Sequence, residues 1–563
     1  MKKIILVIGL LGFLVLPFGN QAQDNNFEIA KNIDIFTTLY RELHKNYVDE
    51  IQSGELMEEA IEAMLESLDP YTTYIPEAEV EDYKFMTTGQ YGGIGAIIHK
   101  KDDHVVISEL YEGFPAHTHG LLAGDKILEI DGKSIKGKST EAVSNILKGQ
   151  PGSTLSITVE REMAEEPLTV EVVRENVKVD NIPYAGVLEN NIGYIKLNGF
   201  TKDAWKEVKK NLVTLQEENE LNGLIIDLRG NGGGLLRESV NIASLFVEKG
   251  EQIVSTKGRL QDKNRSYKTQ FTPIAPDLPL VIIVNNRSAS ASEILAGSMQ
   301  DLDRAVVIGS KTFGKGLVQN VIPLSYNSKA KITIAKYYIP SGRCIQSVDY
   351  FHKDDNGESH RIPDSLINQF ETKSGRTVYD GGGIEPDIKT QPDKIANITK
   401  SLYINYLIFD FATKFQSEHD SIAPPEVFEI TDEIYNDFIA FISDKDYDYT
   451  TDTEKTLKQL RENAEKEKYF ESIQDELSEM ENKLIEDKNN DLQEFSDEIK
   501  LLLEIEIVTR YYFQEGKIKA SLEEDPEVEK AIELLADQPA YHNVLKTDIA
   551  DANYTDPEKV CND

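Results

Sequence analysis

The run Ser288-Ala289-Ser290-Ala291-Ser292-Glu293 and the segment Thr312-Phe313-Gly314-Lys315-Gly316-Leu317-Val318-Gln319 carry residue types suited to nucleophilic chemistry. A serine hydroxyl is a weak nucleophile at neutral pH and needs a neighbouring base to take its proton; a neutral lysine can do so where burial lowers its pKa. Histidine is the commoner base, yet none of the nine histidines lies between His119 and His352, the span that holds the serines. This tilts the choice towards Lys315, with a distant histidine as the alternative. Glycines on both sides of Lys315 permit close backbone packing around it. A Ser/Ala run taken alone is also an ordinary loop or helix start, so the flanking elements must decide.

Those elements put the serines at a strand-to-helix elbow. Leu280-Val281-Ile282-Ile283-Val284 reads as a buried parallel strand, Asn285, Asn286 and Arg287 as a turn, and Glu293-Ile294-Leu295-Ala296-Gly297 as the opening of an amphipathic helix. The first N–H groups of a helix are unpaired and face developing negative charge. A second elbow follows the strand Leu224-Ile225-Ile226, at Asp227-Leu228-Arg229-Gly230-Asn231-Gly232-Gly233-Gly234, with a helical pattern from Leu235 to Phe246. Its glycines expose backbone N–H groups. A phosphate-cradling loop is disfavoured, because no Gly-Lys-Ser/Thr follows and the dinucleotide spacing is absent; a plain tight turn is the other reading.

Taken in order, the 227–234 loop, the 288–293 run and Phe313-Gly314-Lys315-Gly316 through Gln319 resemble the carboxyl-terminal processing, or tail-specific, proteases. The likeness continues in Tyr337-Tyr338-Ile339-Pro340-Ser341-Gly342-Arg343 and in Gly375-Arg376-Thr377-Val378-Tyr379-Asp380-Gly381-Gly382-Gly383-Ile384-Glu385-Pro386-Asp387. The resemblance implies a multidomain α+β chain: a serine protease core of the α/β, crotonase/ClpP-like class, an inserted PDZ domain, and helical N- and C-terminal regions. Residue by residue, it implies Ser290 as nucleophile, Lys315 as general base and Gln319 as third member. On a helix or extended turn, a residue four places on could return its amide to the lysine. The oxyanion hole would be the N–H of Ala291 with that of a loop glycine, taken as Gly233. Ser288 and Ser292 are read as capping or packing hydroxyls, Lys311 as a solvated turn lysine, and Asp227 and Arg229 as structural partners.

Between residues 90 and 175 short alternating strands surround one capped helix, Thr140-Glu141-Ala142-Val143-Ser144-Asn145-Ile146-Leu147. The loop Gly92-Gly93-Ile94-Gly95 runs into a strand. Loop amides of this kind can hold a terminal carboxylate while the strand edge pairs with a peptide and the helix supplies an apolar pocket. With Phe114-Pro115-Ala116 and Gly124-Asp125-Lys126-Ile127-Leu128-Glu129-Ile130-Asp131-Gly132, the stretch resembles a PDZ domain, which implies Gly92, Gly93, Ile94 and Gly95 as peptide-binding residues. In some relatives an arginine on the last strands of this domain reaches the lysine region; Arg161 is placed for that, and a surface arginine is the favoured reading.

The flanks bear on location. Met1-Lys2-Lys3 and the apolar residues 4–18, with small and polar residues to Gln23, form the pattern of a secretory signal peptide, too short for a spanning helix and with no lipidation cysteine. The two cysteines, Cys344 and Cys561, form no metal or redox spacing. A net charge of −38 argues against nucleic acid and anionic membranes as partners. The 563 residues exceed what one core holds. The expected parts are a signal peptide (1–22), a helical region (23–88), the PDZ domain (89–176), the protease core (177–392) and a charged helical region (393–563), with a strand-like linker near 177–195. Ile29, Ile33, Phe36, Tyr40 and Leu43 form one helical stripe, and Ile473, Leu477, Met480 and Leu484 another, read as packing on a neighbouring helix rather than as a coiled coil between chains.

The whole predicts an exported, periplasmic endopeptidase, soluble or held at the outer face of the inner membrane. It would need no metal or other cofactor and would act on polypeptides with free apolar C-termini. A homo-oligomer or an activating partner stays open, as do the rival readings of an inactive PDZ scaffold and of a Ser/Lys acyl hydrolase for non-peptide substrates.

Overall fold

A computed structural model describes residues 20–354, 357–390 and 395–546. The apolar residues 4–18, expected to be an export signal, and Cys561 lie outside them. The chain divides into two units, Met1–Tyr74 and Ile75–Asp563. In the first, helices Asn20–Asn46 and Ser53–Glu66 are joined by the Tyr40 hydroxyl, which donates to Ser53 O at 2.5 Å. The second helix buries no residue, and Ile29, Ile33, Phe36 and Leu43 are exposed.

The protease-like part of the second unit is organised by a six-stranded sheet. Its order is Tyr184–Leu188, Ile192–Lys196, Gly223–Asp227, Leu280–Val284, Val306–Gly309 and Ile388–Lys389, parallel throughout except for the first pair. The first two strands occupy the stretch expected to be a linker. Ile192, Tyr194 and Ile195 are apolar and fully buried, and pairing Ile192–Lys196 with Gly223–Asp227 satisfies both their side chains and their backbone.

A parallel sheet must be covered on both faces, and side chains alternate between them. Leu224, Ile226, Leu280, Ile282 and Val284 point into a core shared with the helices Ala204–Glu218, Leu236–Ala243 and Ala291–Asp301. Ile225, Val281 and Ile283 point the other way, onto Val528, Ala531 and Leu535 of the helix Pro526–Ala536. Gly223 is needed there, since a Cβ on it would lie 2.8 Å from Leu535 Cδ2. The far end of the chain therefore completes the core of its middle. The continuous apolar run 280–284, with no alternation, carried this information, because it requires a second covering layer.

A second sheet holds Ala96–Lys101, His104–Leu110, Lys126–Ile130, Thr154–Glu160 and Leu168–Val173 in antiparallel order. The helix Thr140–Leu147 spans the residues expected, with the Ser139 hydroxyl accepting from Ala142 N. The C-terminal region packs Phe411, Phe438, Leu503 and Ile507 into its own core. In the 473–484 stripe, on the helix Phe470–Glu494, Leu477 is buried and Met480 exposed, and Arg461 pairs with Glu481 at 2.9 Å from the preceding helix Asp452–Glu467.

Because Leu535 is fully buried against the sheet, Leu535→Ala is expected to cost about 3 kcal/mol. Denaturant unfolding followed through the single tryptophan, Trp205, should show one cooperative transition at lower midpoint. A change confined to C-terminal probes, with the Trp205 transition unmoved, would contradict the shared core.

Candidate active site

Ser290 is the N-cap of the helix Ala291–Asp301 and is half-buried, with φ 58° and ψ −110°. That is a left-handed backbone at a non-glycine residue, a conformation that costs free energy unless its surroundings impose it. Two neighbours do so. Ser290 N–H donates to the Glu293 carboxylate at 2.8 Å, and Ile294 N–H donates to Ser290 O at 2.9 Å. The other two serines are engaged elsewhere: Ser288 Oγ donates to Leu228 O at 2.8 Å and Ser292 Oγ to Asn231 O at 2.9 Å. Both bonds hold the serine run to the 227–234 loop, so the capping or packing reading of Ser288 and Ser292 agrees with their geometry.

The far end of this helix is pinned by two buried arginines. Arg343 pairs with Asp301 at 2.8 Å, and Arg376 pairs with Asp303 at 2.7 Å and Asp387 at 2.6 Å. Cations at a helix C-terminus complement its dipole. Each arginine comes from one of the later motifs, 337–343 and 375–387, whose role is thus to fix the helix that carries Ser290 at its start.

Lys315 lies in the loop before the strand Leu317–Pro323 and is half-buried. Its N–H donates to Glu293 Oε2 at 2.9 Å, the same oxygen that receives Ser290 N–H. The two amide nitrogens are therefore at most 5.7 Å apart, the sum of the two bonds. The other carboxylate oxygen, Oε1, accepts from Gly314 N at 2.7 Å and from the Thr312 hydroxyl at 2.6 Å. A second tie is the buried Tyr337, whose hydroxyl lies 2.5 Å from Lys315 O and 3.2 Å from Ser290 O. Glu293 and Tyr337 thus hold the serine and lysine main chains side by side. Both residues fall inside the motifs 288–293 and 337–343, which do not by themselves assign them this part. A glutamate at the third position of a helix is a legible capping signal, but its bonds to a loop 21 and 22 residues later are not.

Burial pushes the Glu293 carboxyl up to about 7, against the four donors, which favour the charged form.

Gln319 sits on the strand Leu317–Pro323, not on a helix or turn. It pairs with Thr333 across the hairpin, just after a register shift between Val318 and Gln319, and its Nε2 lies 3.2 Å from Thr333 Oγ1. Lys315 lies in the loop before that strand, so neither a helix nor a turn sets the spacing between the two residues.

Gly233 takes φ 98°, and a Cβ on it would come within 2.9 Å of both Ala291 N and Ser290 Cβ. Only glycine lets the loop approach the serine so closely. Gly233 N–H donates to Asn231 Oδ1 at 2.9 Å, and Asn231 Nδ2 is held by Leu197 O at 2.7 Å. Asp227 is fully buried beneath the loop. Burial raises its pKa, but Lys196 at 3.1 Å and Arg229 at 2.7 Å outweigh it and hold the carboxyl well below the usual range. Asp227 and Arg229 are structural partners, as expected. Lys311 is exposed and lies 3.5 Å from Glu385.

Of the loop 92–95, Gly92 and Gly93 form a strand that pairs with Glu175–Lys178, and a Cβ on Gly92 would meet Gly149 O at 2.1 Å. Ile94 lines a groove of about 480 Å³ between the strand Ala96–Lys101 and the helix Thr140–Leu147, with Phe85, Tyr91, Ile98, Tyr111 and Leu147. Gly95, at φ 76°, packs on Phe114. Arg161 does not extend towards Lys315. It makes two bonds of 2.7 Å to Asp125 and a third to Gly120 O, all within its own module. Among the described residues no group of three His, Cys, Asp or Glu could hold a metal ion, and no helix is long and apolar enough to cross a membrane.

The chain is similar to known proteins. Residues 191–350 match the family described as Peptidase family S41, residues 92–172 a PDZ domain, residues 18–79 the activating protease CtpB N-terminal domain, and residues 398–535 a probable PDZ-protease C-terminal helical domain. The carboxy-terminal-processing protease of Bartonella bacilliformis is 34% identical over 352 residues, covering 62% of this chain and 80% of that one. A probable CtpA-like serine protease of Staphylococcus aureus is 33% identical over 320 residues, covering 56% and 62%. A photosystem II D1 C-terminal processing protease structure is 26% identical at a TM-score of 0.35, covering 64% of this chain and 93% of that one.

Replacing Glu293 by Gln leaves one acceptor oxygen and puts an NH₂ against N–H donors. It should lower kcat about 100-fold and destabilise the fold by about 2 kcal/mol. The folded carboxyl titrates near 7 rather than near 4.5, so its neutral form favours the fold at low pH and that contribution is lost as pH rises through 7. From pH 4 to 8 the wild type should therefore lose about 3 kcal/mol of unfolding free energy that Glu293→Gln does not lose, as read by denaturant titration at each pH.

Proposed function

The chain belongs to peptidase family S41, among its carboxy-terminal-processing serine proteases with a PDZ domain, and on that premise we propose that it is an endopeptidase with Ser290 as nucleophile, Lys315 as base and Gln319 as assistant. The single observation that carries the residue assignment is the shared carboxylate of Glu293, which seats the Ser290 and Lys315 amides on one oxygen at the start of a helix. Neutral Lys315 takes the Ser290 proton as Oγ attacks the scissile carbonyl, then passes it to the leaving amine, giving an acyl-enzyme. Water deprotonated by Lys315 then releases the acyl group. Charge developing on the carbonyl oxygen meets the N–H of Ala291 at the helix N-terminus. Gly233 supplies the second donor once its N–H leaves Asn231 Oδ1 for the oxyanion.

The groove lined by Ile94, Ile98 and Leu147 takes the substrate's tail, and its apolar lining favours apolar C-terminal residues. Substrates are exported polypeptides and the compartment is the periplasm, which the signal-like residues 1–22 support. The close approach of Gly233 to Ser290 and the seating of Ser290 and Lys315 on Glu293 favour this reading over a scaffold that only binds tails, and the groove favours it over an acyl hydrolase of small esters.

Ser290→Ala and Lys315→Ala should each lower cleavage of an unfolded polypeptide with an apolar free C-terminus by at least about 1,000-fold, and Ser288→Ala should retain most activity. Undiminished cleavage by either of the first two would sink the dyad. Amidating the substrate's C-terminus tests the groove separately, and is expected to raise KM about 10-fold or more through loss of the carboxylate.

A further inference from the structure

The 227–234 loop is anchored from a distant part of the chain. Arg229 lies between Asp227 and two carboxylates of the C-terminal region, with Nη1 2.7 Å from Asp525 and 2.8 Å from Glu527. Arg229 and both of these C-terminal carboxylates are largely shielded. Asp525 also caps the helix Pro526–Ala536 through Glu527 N and Val528 N, and Glu527 Oε1 accepts from the Thr390 hydroxyl at 2.7 Å. Arg229 is two residues from Asn231, whose side chain holds Gly233 N–H.

Asp525 follows the long helix Ser496–Leu522, which packs Leu503 and Ile507 into the C-terminal core and also touches the peptide-groove module. Arg510 donates to Ser108 O at 3.1 Å, Lys517 pairs with Glu109, and Phe513 packs on His117 with ring centroids 4.7 Å apart. Phe513 interrupts the helix, at φ 52° and ψ −147°. Strain of this kind persists only where packing imposes it, and here Phe513 packs against the module's core. From His117 the route to the groove is short: Ala116 N–H donates to Ile94 O at 2.7 Å, and Phe114 lies against Gly95. Beyond Phe513, Ile518 and Leu522 pack on the core sheet.

We propose that the helix Ser496–Leu522 is a strut between the peptide groove and the 227–234 loop, and that Asp525 and Glu527 are positioning residues whose hold on Arg229 sets whether Gly233 N–H stays on Asn231 or turns to the oxyanion. The structure holds the first of these arrangements, and a tail in the groove shifts the loop towards the second through Phe513. The groove's ligand is that of the proposed function, on which this part rests; the hold of Asp525 and Glu527 on the loop does not depend on it.

Two experiments on the full chain separate these parts. In the first, Asp525→Asn/Glu527→Gln is compared with wild type by hydrogen exchange of the amides at 230–234 and by kinetics on a short peptide lacking a free C-terminus. Faster exchange, with kcat down about 10-fold at unchanged KM, is expected. Unchanged exchange overturns the proposal, even if the chain cleaves nothing. In the second, a short peptide with an apolar free C-terminus is added to the Ser290→Ala chain. It should alter exchange at 230–234, its amide should not, and Phe513→Leu or Phe513→Ala should abolish the effect while the peptide still binds. An effect that survives both substitutions overturns the strut. Absence of peptide binding to any chain instead counts against the groove's proposed ligand, and the first experiment then decides the positioning role.

Discussion

One buried carboxylate governs the arrangement. Glu293 receives the N–H groups of Ser290, Gly314 and Lys315 and the hydroxyl of Thr312, and so joins a helix start to a loop from another part of the fold. Buried donors without acceptors cost about 1–3 kcal/mol each, so these groups meet at Glu293 or the fold pays for it. Everything else at the site keeps that meeting point in place. The parallel sheet ends beneath the serine elbow, the arginines pin the other end of its helix, and Tyr337 closes the gap between the two main chains.

The C-terminal helical region belongs to the same economy of contacts. It covers one face of the core sheet and ends on the loop beside Ser290. A sheet whose strands are apolar on both faces cannot be left half covered, so this region has a structural duty whatever else it does. Its charge does not contradict this, since Val528, Ala531 and Leu535 face the sheet, Asp525 and Glu527 are paired with Arg229, and Glu529 and Glu533 are exposed.

The local features were legible in the sequence. The strand 280–284, the capped helix 140–147 and the elbow at the serines follow from hydrophobic patterning and capping, which act over a few residues. What was not legible depends on pairing over long distances. Arg229 meets Glu527 across 298 residues, Gln319 lies on a strand because the hairpin to Thr333 exists, and Arg161 stays in its own module because Asp125 is there. The strands at 184–196 looked like a linker because their partner, Gly223–Asp227, is separated from them by a helix.

The backbone of Ser290 has a consequence of another kind. At φ 58° a serine is held where glycine would rest without strain, at a cost of about 1–3 kcal/mol. A glycine there would lose the hydroxyl and gain ease of folding. Selection for stability alone, whether in drift or in a library screened only for expression, would therefore tend to replace Ser290 by glycine. Selection for the proposed chemistry would oppose that drift and hold Ser290 at a torsion angle that folding by itself does not favour.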